Sequence, residues 1–153
     1  MKVHPPTPER VLELTEYWPY QITVLADRIA RRTSRVVKEH GLNLSQWRVM
    51  AAVAEVPGRT SVEVVTVTPM DKGIVSRATK ALLSMGLLRR EASQLDGRIS
   101  HLFLTDAGMQ RYRGMFPEVE DIIRRAQEGL SSAEQDQLSQ QLVELIKVIP
   151  DLR

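Results

Sequence analysis

Apolar positions recur along this chain at helical spacing, interrupted once by two short runs around a turn. In the stretch from Asp71 to Gly86, DKGIVSRATKALLSMG, residues Val75, Ala78, Leu82 and Met85 fall within a helical sector of about 80°. Lys72, Ser76, Thr79 and Lys80 are assigned to the opposite side, giving an amphipathic helix with a basic, small-residue face. Asp71 can accept a bond from a free backbone N–H at its start, and Gly86 can take the left-handed position that ends it. Upstream, Thr7, Pro8 and Glu9 predict a short helix to about Leu14. Pro19 fits the first turn of a longer one, with Ile22, Leu25, Ile29, Val36 and Val37 at helical spacing and Gly41 as its stop. Ser45 is the expected cap of a helix over 46–55, with Leu44 and Val49 as a hydrophobic staple and Pro57-Gly58 beyond. Thr60 and Glu63 have capping-box spacing, whereas the following VEVVTVT is β-branched and by propensity extended. The cap and the short length before Thr68-Pro69 favour a short helix, the first of a helix-turn-helix pair.

The exception to helical spacing is 87–104. Runs at 87–93 and 99–104 flank Gln94-Leu95-Asp96-Gly97-Arg98, and Asp-Gly between two such runs predicts a β-hairpin with a basic tip. Thr105 can cap a long helix in which Met109, Tyr112, Phe116, Val119, Ile123, Ala126 and Leu130 alternate steps of three and four, a heptad seam with Pro117 inside it as an expected kink. Gly129 ends it. Ser131 and Glu134 form another capping box, and Leu138, Leu142, Leu145 and Ile149 make a last apolar stripe. The pattern predicts a mainly α chain with a small β-hairpin wing: an N-terminal arm over 1–41, a winged helix-turn-helix over 42–104 and C-terminal helices over 105–153. The two terminal seams need a partner. A second copy of the chain is the expected one, a bundle folded back within one chain the alternative.

Charge sharpens the picture. The formal net charge is only +2, yet from Lys72 to Arg90 there are five bases and no acid, while from Glu118 to Arg153 eight acids stand against four bases. A basic middle with an acidic C-terminal part suits a polyanion partner for the middle. A second basic stripe, Arg28, Arg31, Arg32, Arg35 and Lys38, is read first as a solvated face. Backbone N–H groups at a helix start and short hydroxyls can hold phosphates, which makes Thr60, Ser61 and Ser76 candidate positioning contacts. Arginine can fork onto guanine or fit a narrow minor groove, which makes Arg77 and Arg98 candidates for specificity.

In ordered sequence, the run 44–64, the run 74–90, the Asp96-x-Arg98 tip and LTDAG at 104–108 resemble the MarR (multiple antibiotic resistance regulator) family of bacterial winged-helix regulators. The resemblance implies a homodimer joined by its terminal helices, binding double-stranded DNA at a pseudo-palindromic operator, often as a repressor and often released by a small aromatic acid or phenol. It implies Lys72, Gly73, Ser76, Arg77 and Lys80 as major-groove and phosphate contacts, Arg98 as the wing arginine in the minor groove, and Asp96 as the residue orienting it. Two departures lie in the wing: Gly97 stands where a charged residue is usual, and the approach ASQL is less polar than usual. The competing reading from another class is a winged-helix module whose basic face docks an acidic protein.

Tyr17, Trp18 and Tyr20, with Trp47 and Arg48, could line an effector pocket, although each taken singly is more simply a packing residue. His4, His40 and His101 lack paired spacing, there is no cysteine, and no catalytic motif is present. The expectation is therefore no enzyme, no metal and no cofactor. The start MKVHPPTPER has no apolar signal core, and the longest charge-free run, 17–26, is about half the ~20 residues that span a bilayer, so a cytoplasmic protein is expected.

Overall fold

The computed structural model describes residues 11–153. Six helices and one hairpin follow in the order α1 (Trp18–Glu39), α2 (Leu44–Glu55), α3 (Ser61–Val67), α4 (Lys72–Ser84), β1 (Leu88–Ala92), β2 (Ser100–Leu104), α5 (Asp106–Glu128) and α6 (Ser132–Val148). The winged helix-turn-helix is present as expected. The cap of the predicted short N-terminal helix, at Thr7, lies outside the described residues together with His4; its last positions, 11–14, are irregular or turn rather than helical.

Helix starts follow side-chain chemistry. Thr60 and Ser131 each accept from the backbone N–H three residues on, with Glu63 and Glu134 reaching back to close the box, so a β-branched segment becomes α3. Asp71 caps α4, its Oδ1 2.8 Å from the Ile74 amide nitrogen. The cap of α2 is a correction: it is Asn43, not Ser45. Asn43 accepts from the Gln46 N–H and donates its own N–H to the Gln46 side chain, both at 2.9 Å, a reciprocal pair that Ser45 cannot form at the same spacing with Arg48, whose side chain has no acceptor. The staple positions become Leu42 and Trp47, both buried.

One core spans the molecule. Val37 of α1, Val49, Met50 and Val53 of α2, Val64 of α3, Val75 and Leu82 of α4, Leu102 of β2 and Met115 of α5 are all fully buried together. Two expectations fail in its detail. Thr79, assigned to the polar side of α4, is only 2% exposed, because the buried stripe is centred between Val75 and Leu82 and takes in positions 75, 78, 79 and 82; Met85 falls off its edge. The seam divides: Tyr112 and Val119 pack against the core with Met115, which the heptad omitted, while Phe116 and Ile123 of α5 and Leu130 just past its end are exposed. Helix α5 runs unbroken through Pro117.

Helix α6 differs from the rest in having no buried residue, and its Leu138, Val143, Ile146 and Val148 are exposed. The tail behind it returns to the head, where the Arg153 guanidinium donates to the carbonyl oxygens of Thr68 and Met70 at 2.8 Å and of Val65 at 3.3 Å. No helix among the described residues is long and apolar enough to cross a membrane.

Candidate nucleic-acid interface

The cap and stop of α4 set what the head presents. Gly86 takes φ +68, which lets the Leu87 N–H reach Leu82 O at 3.0 Å and turns the chain from α4 straight into β1. Burial of the 75–78–79–82 stripe then leaves Lys72, Gly73, Ser76, Arg77 and Lys80 exposed on one outer face. A Cβ at Gly73 would meet Asp71 Oδ1 at 3.3 Å and Arg77 Nη1 at 3.4 Å, so Arg77 leans back over the helix start and the absent side chain leaves it room.

The two short hydroxyls proposed at α3 differ. Thr60 is half-buried and its hydroxyl is committed to the capping box, donating to Glu63 Oε2 at 3.1 Å, whereas Ser61 is exposed. The backbone and hydroxyl donors of Thr60 hold the Glu63 carboxyl below its ordinary pKa.

Strands β1 and β2 pair antiparallel from Leu88 opposite Leu104 to Ala92 opposite Ser100. At the tip, Asp96 Oδ1 accepts the backbone N–H of Arg98 at 2.9 Å. Asp96 therefore shapes the turn that carries Arg98, acting on its backbone rather than its guanidinium. Below the tip, the Arg89 guanidinium lies 4.5 Å from the centroid of the Phe103 ring, and His101 Nδ1 is 2.8 Å from Gly58 O, which fastens the wing to the α2–α3 turn.

Some cations elsewhere are paired, Arg59 with Glu55 at 2.6 Å, Lys147 with Glu144 at 2.7 Å and Arg31 with Asp27, whereas Arg28, Arg32, Arg35 and Lys38 of α1 make no ion pair among the described residues. Among the described residues, Lys72, Arg77, Lys80 and Arg98 make no ion pair. Four exposed positive charges on one helix face and one hairpin tip, none of them in an ion pair, form a field that a polyanion can satisfy.

The residues expected to line an effector pocket do not share one cavity in this chain. Trp47 and Arg48 border a cleft of about 340 Å³ with Glu55, Val67 and Pro69, and burial lowers the Arg48 pKa. Trp18 instead borders a cleft against α6, Tyr20 lies along α1, and Tyr17 is exposed at the α1 cap. Trp47 stacks on Tyr112 with ring centroids 5.2 Å apart. Sequence reasoning passed over Gly108, whose significance lies in a backbone approach, and Arg153, whose partners are carbonyls far away in sequence. No cluster of three or more metal-ligating side chains exists among the described residues.

Comparison with known proteins agrees with this geometry. Residues 40–99 match the model of the MarR family. The HTH-type transcriptional repressor IacR of Pseudomonas putida is 25% identical over 126 residues, spanning 80% of this chain and 74% of that protein. A MarR-family transcriptional regulator from Silicibacter pomeroyi superposes with a TM-score of 0.84 at 22% identity, over 94% of this chain and 100% of its own. BpsR of Bordetella bronchiseptica, whose DNA binding is regulated by 6-hydroxynicotinic acid, gives a TM-score of 0.76 at 21% identity, over 91% and 99%.

Proposed function

We propose that this chain is a transcriptional regulator of the MarR family, a homodimeric repressor that reads a pseudo-palindromic operator. The observation that carries the proposal is the set of unpaired cations on α4 and the wing tip. Helix α4 enters the major groove, with Arg77 reading a base edge and Lys72, Ser76 and Lys80 holding phosphates. Arg98 reaches into the adjacent minor groove, held at its backbone by Asp96. Ser61 offers a further phosphate contact from the start of α3. Repression is supported by the likeness to IacR.

The dimer explains the apolar surface that the protomer leaves open. Exposed Trp18, Ile22 and Leu25 of α1 and Leu138, Val143 and Ile146 of α6 are the positions a second copy would cover. We assign the effector site to the cleft between Trp47 and Arg48, where an aromatic acid would stack on the indole and pair with the guanidinium. Its effect would be to alter the separation of the two α4 helices, which half-sites one helical turn apart tolerate poorly.

Selection of bound duplexes from a random library at near-physiological salt tests the reading. The expected result is a pseudo-palindrome with half-site centres about ten base pairs apart. A bound pool without shared sequence would refute it and favour an acidic protein as the partner of the basic face. Titration with aromatic carboxylates that yields neither heat nor loss of DNA binding would remove the effector site.

A further inference from the structure

The wing tip carries a second group besides Arg98 that faces outward, and it is apolar. Leu95 is 100% exposed. A leucine in water is unremarkable on a mobile loop, but this turn is fixed from within. Ser93 Oγ accepts the backbone N–H groups of Leu95 at 3.3 Å and Asp96 at 3.4 Å, and Asp96 Oδ1 accepts that of Arg98. The Ile99 N–H bonds to Asp96 O at 3.0 Å, and the Ser93 N–H to Ile99 O at 2.8 Å. Five of the seven amides from Ser93 to Ile99 are thus satisfied locally, and the leucine stands fully exposed at the apex they shape. Polar side chains would serve a solvent-facing tip equally well, and Gln94 and Gly97 beside it show that the turn does not require an apolar residue.

We propose that Leu95 is an apolar wedge that enters the minor groove beside Arg98 and partly unstacks a base step there. The inference rests on the regulator reading above. The groove offers two complementary surfaces to such a tip: acceptors on its floor, which an arginine satisfies, and sugar walls and base faces, which take an aliphatic side chain. Pyrimidine–purine steps such as TA and CA open most readily, so the wedge adds a preference for one of them under the wing, at a position α4 does not touch. Loss of the leucine removes apolar burial and no charge, so affinity falls while its salt dependence stays as it was.

The test is to repeat the duplex selection with the full chain and with Leu95→Ser and Leu95→Met, and then to place 2-aminopurine at the step beneath the wing. The parent should enrich a pyrimidine–purine step there and brighten the probe. Leu95→Ser should keep the half-site core, lose that enrichment and the fluorescence rise, and bind on the order of tenfold more weakly at an unchanged salt slope. Leu95→Met should restore all three. A Leu95→Ser protein that matches the parent in enrichment, or leaves the fluorescence rise intact, overturns the wedge alone. A parent that selects no sequence overturns the regulator reading and the wedge with it. Because Leu95 touches no part of the core, the melting temperatures of the three proteins should coincide.

Discussion

Gly108 → Ala should damage this protein more than any single methyl group on its surface could. The glycine lies in the first turn of α5, where its N–H donates to Thr105 Oγ1 at 3.0 Å. An added Cβ would stand 2.0 Å from Leu87 O and 2.9 Å from Leu87 C. Carbon and oxygen normally stay more than about 3 Å apart, so the two backbones would have to separate by roughly 1 Å. Neither can move freely, because the same Leu87 carbonyl accepts the Thr105 N–H at 3.1 Å and Thr105 donates to Gly86 O at 2.6 Å. Overpacking of this kind costs about 1 to 3 kcal/mol where side chains can yield, and two backbones place it at or above the top of that range. Helix propensity acts in the opposite direction by about 1 kcal/mol, which Gly114→Ala measures on its own: it lies exposed in the same helix, and its Cβ would meet nothing within 4 Å. Urea unfolding of both variants at one protein concentration should therefore give shifts of opposite sign, about 2 kcal/mol or more of loss for Gly108→Ala and up to about 1 kcal/mol of gain for Gly114→Ala. A Gly108→Ala protein as stable as the parent would refute the close approach.

Other substitutions probe the core, the interface and the tail. Thr79 Oγ1 is buried without a hydrogen-bond partner, so Thr79→Val should raise stability by about 1 to 2 kcal/mol in the same assay, and a loss would mean that the hydroxyl is satisfied. Arg98→Ala should weaken operator binding by about 1 to 3 kcal/mol, whereas Lys80→Ala should weaken all duplexes alike and flatten the salt slope by roughly one unit. Fluorescence anisotropy across a salt series separates the two, and an Arg98→Ala protein with parental affinity would exclude the wing contact. Hydrogen bonds from the Arg153 side chain lower the Asp151 pKa from 3.8 to about 2. A carboxyl depressed on folding adds stability that is present above its ordinary pKa and lost as pH falls through the folded value, so this contribution should fade between about pH 4 and 2. Carbon-detected NMR should find the Asp151 midpoint near 2 in the parent and higher in Arg153→Ala, which keeps only the backbone N–H donor to Asp151; a parental midpoint near 3.8 would contradict the pairing.

Elements whose ends carry their own chemistry were legible in the sequence. Thr60 with Glu63, Ser131 with Glu134, Asp71 and Gly86 each act within one turn of chain, which is why α3 is a helix despite VEVVTVT. Periodicity is less complete information. It orders positions around a helix without fixing where the buried stripe is centred, and a threonine on its margin, Thr79, reads as polar although half its branches are methyl. The α5 seam failed for a related reason: one helix serves two surfaces, the protomer core through Met115 and an open face through Ile123, and a single repeat cannot describe both. Asn43 and Ser45 were both chemically able to cap α2, and only the side chain three residues on, Gln46, decided between them. Gly108, the clefts around Trp47 and Trp18, and the grip of Arg153 depend on segments far apart in sequence meeting, which no local rule contains.

The placement of Val37 and Met115 in the same core as Val75 and Leu82 has a mechanical consequence. Close-packed interiors resist deformation, so a tilt of α1 would be passed to the head it packs into, with α1 as the handle. Twenty-two residues make that handle ~33 Å long at 1.5 Å per residue. If its far end is held, a tilt of about 5° there sweeps the head through ~3 Å, close to the ~3.4 Å rise between successive base pairs. In the proposed complex with DNA, so small a rotation would put α4 out of step with the bases by one position.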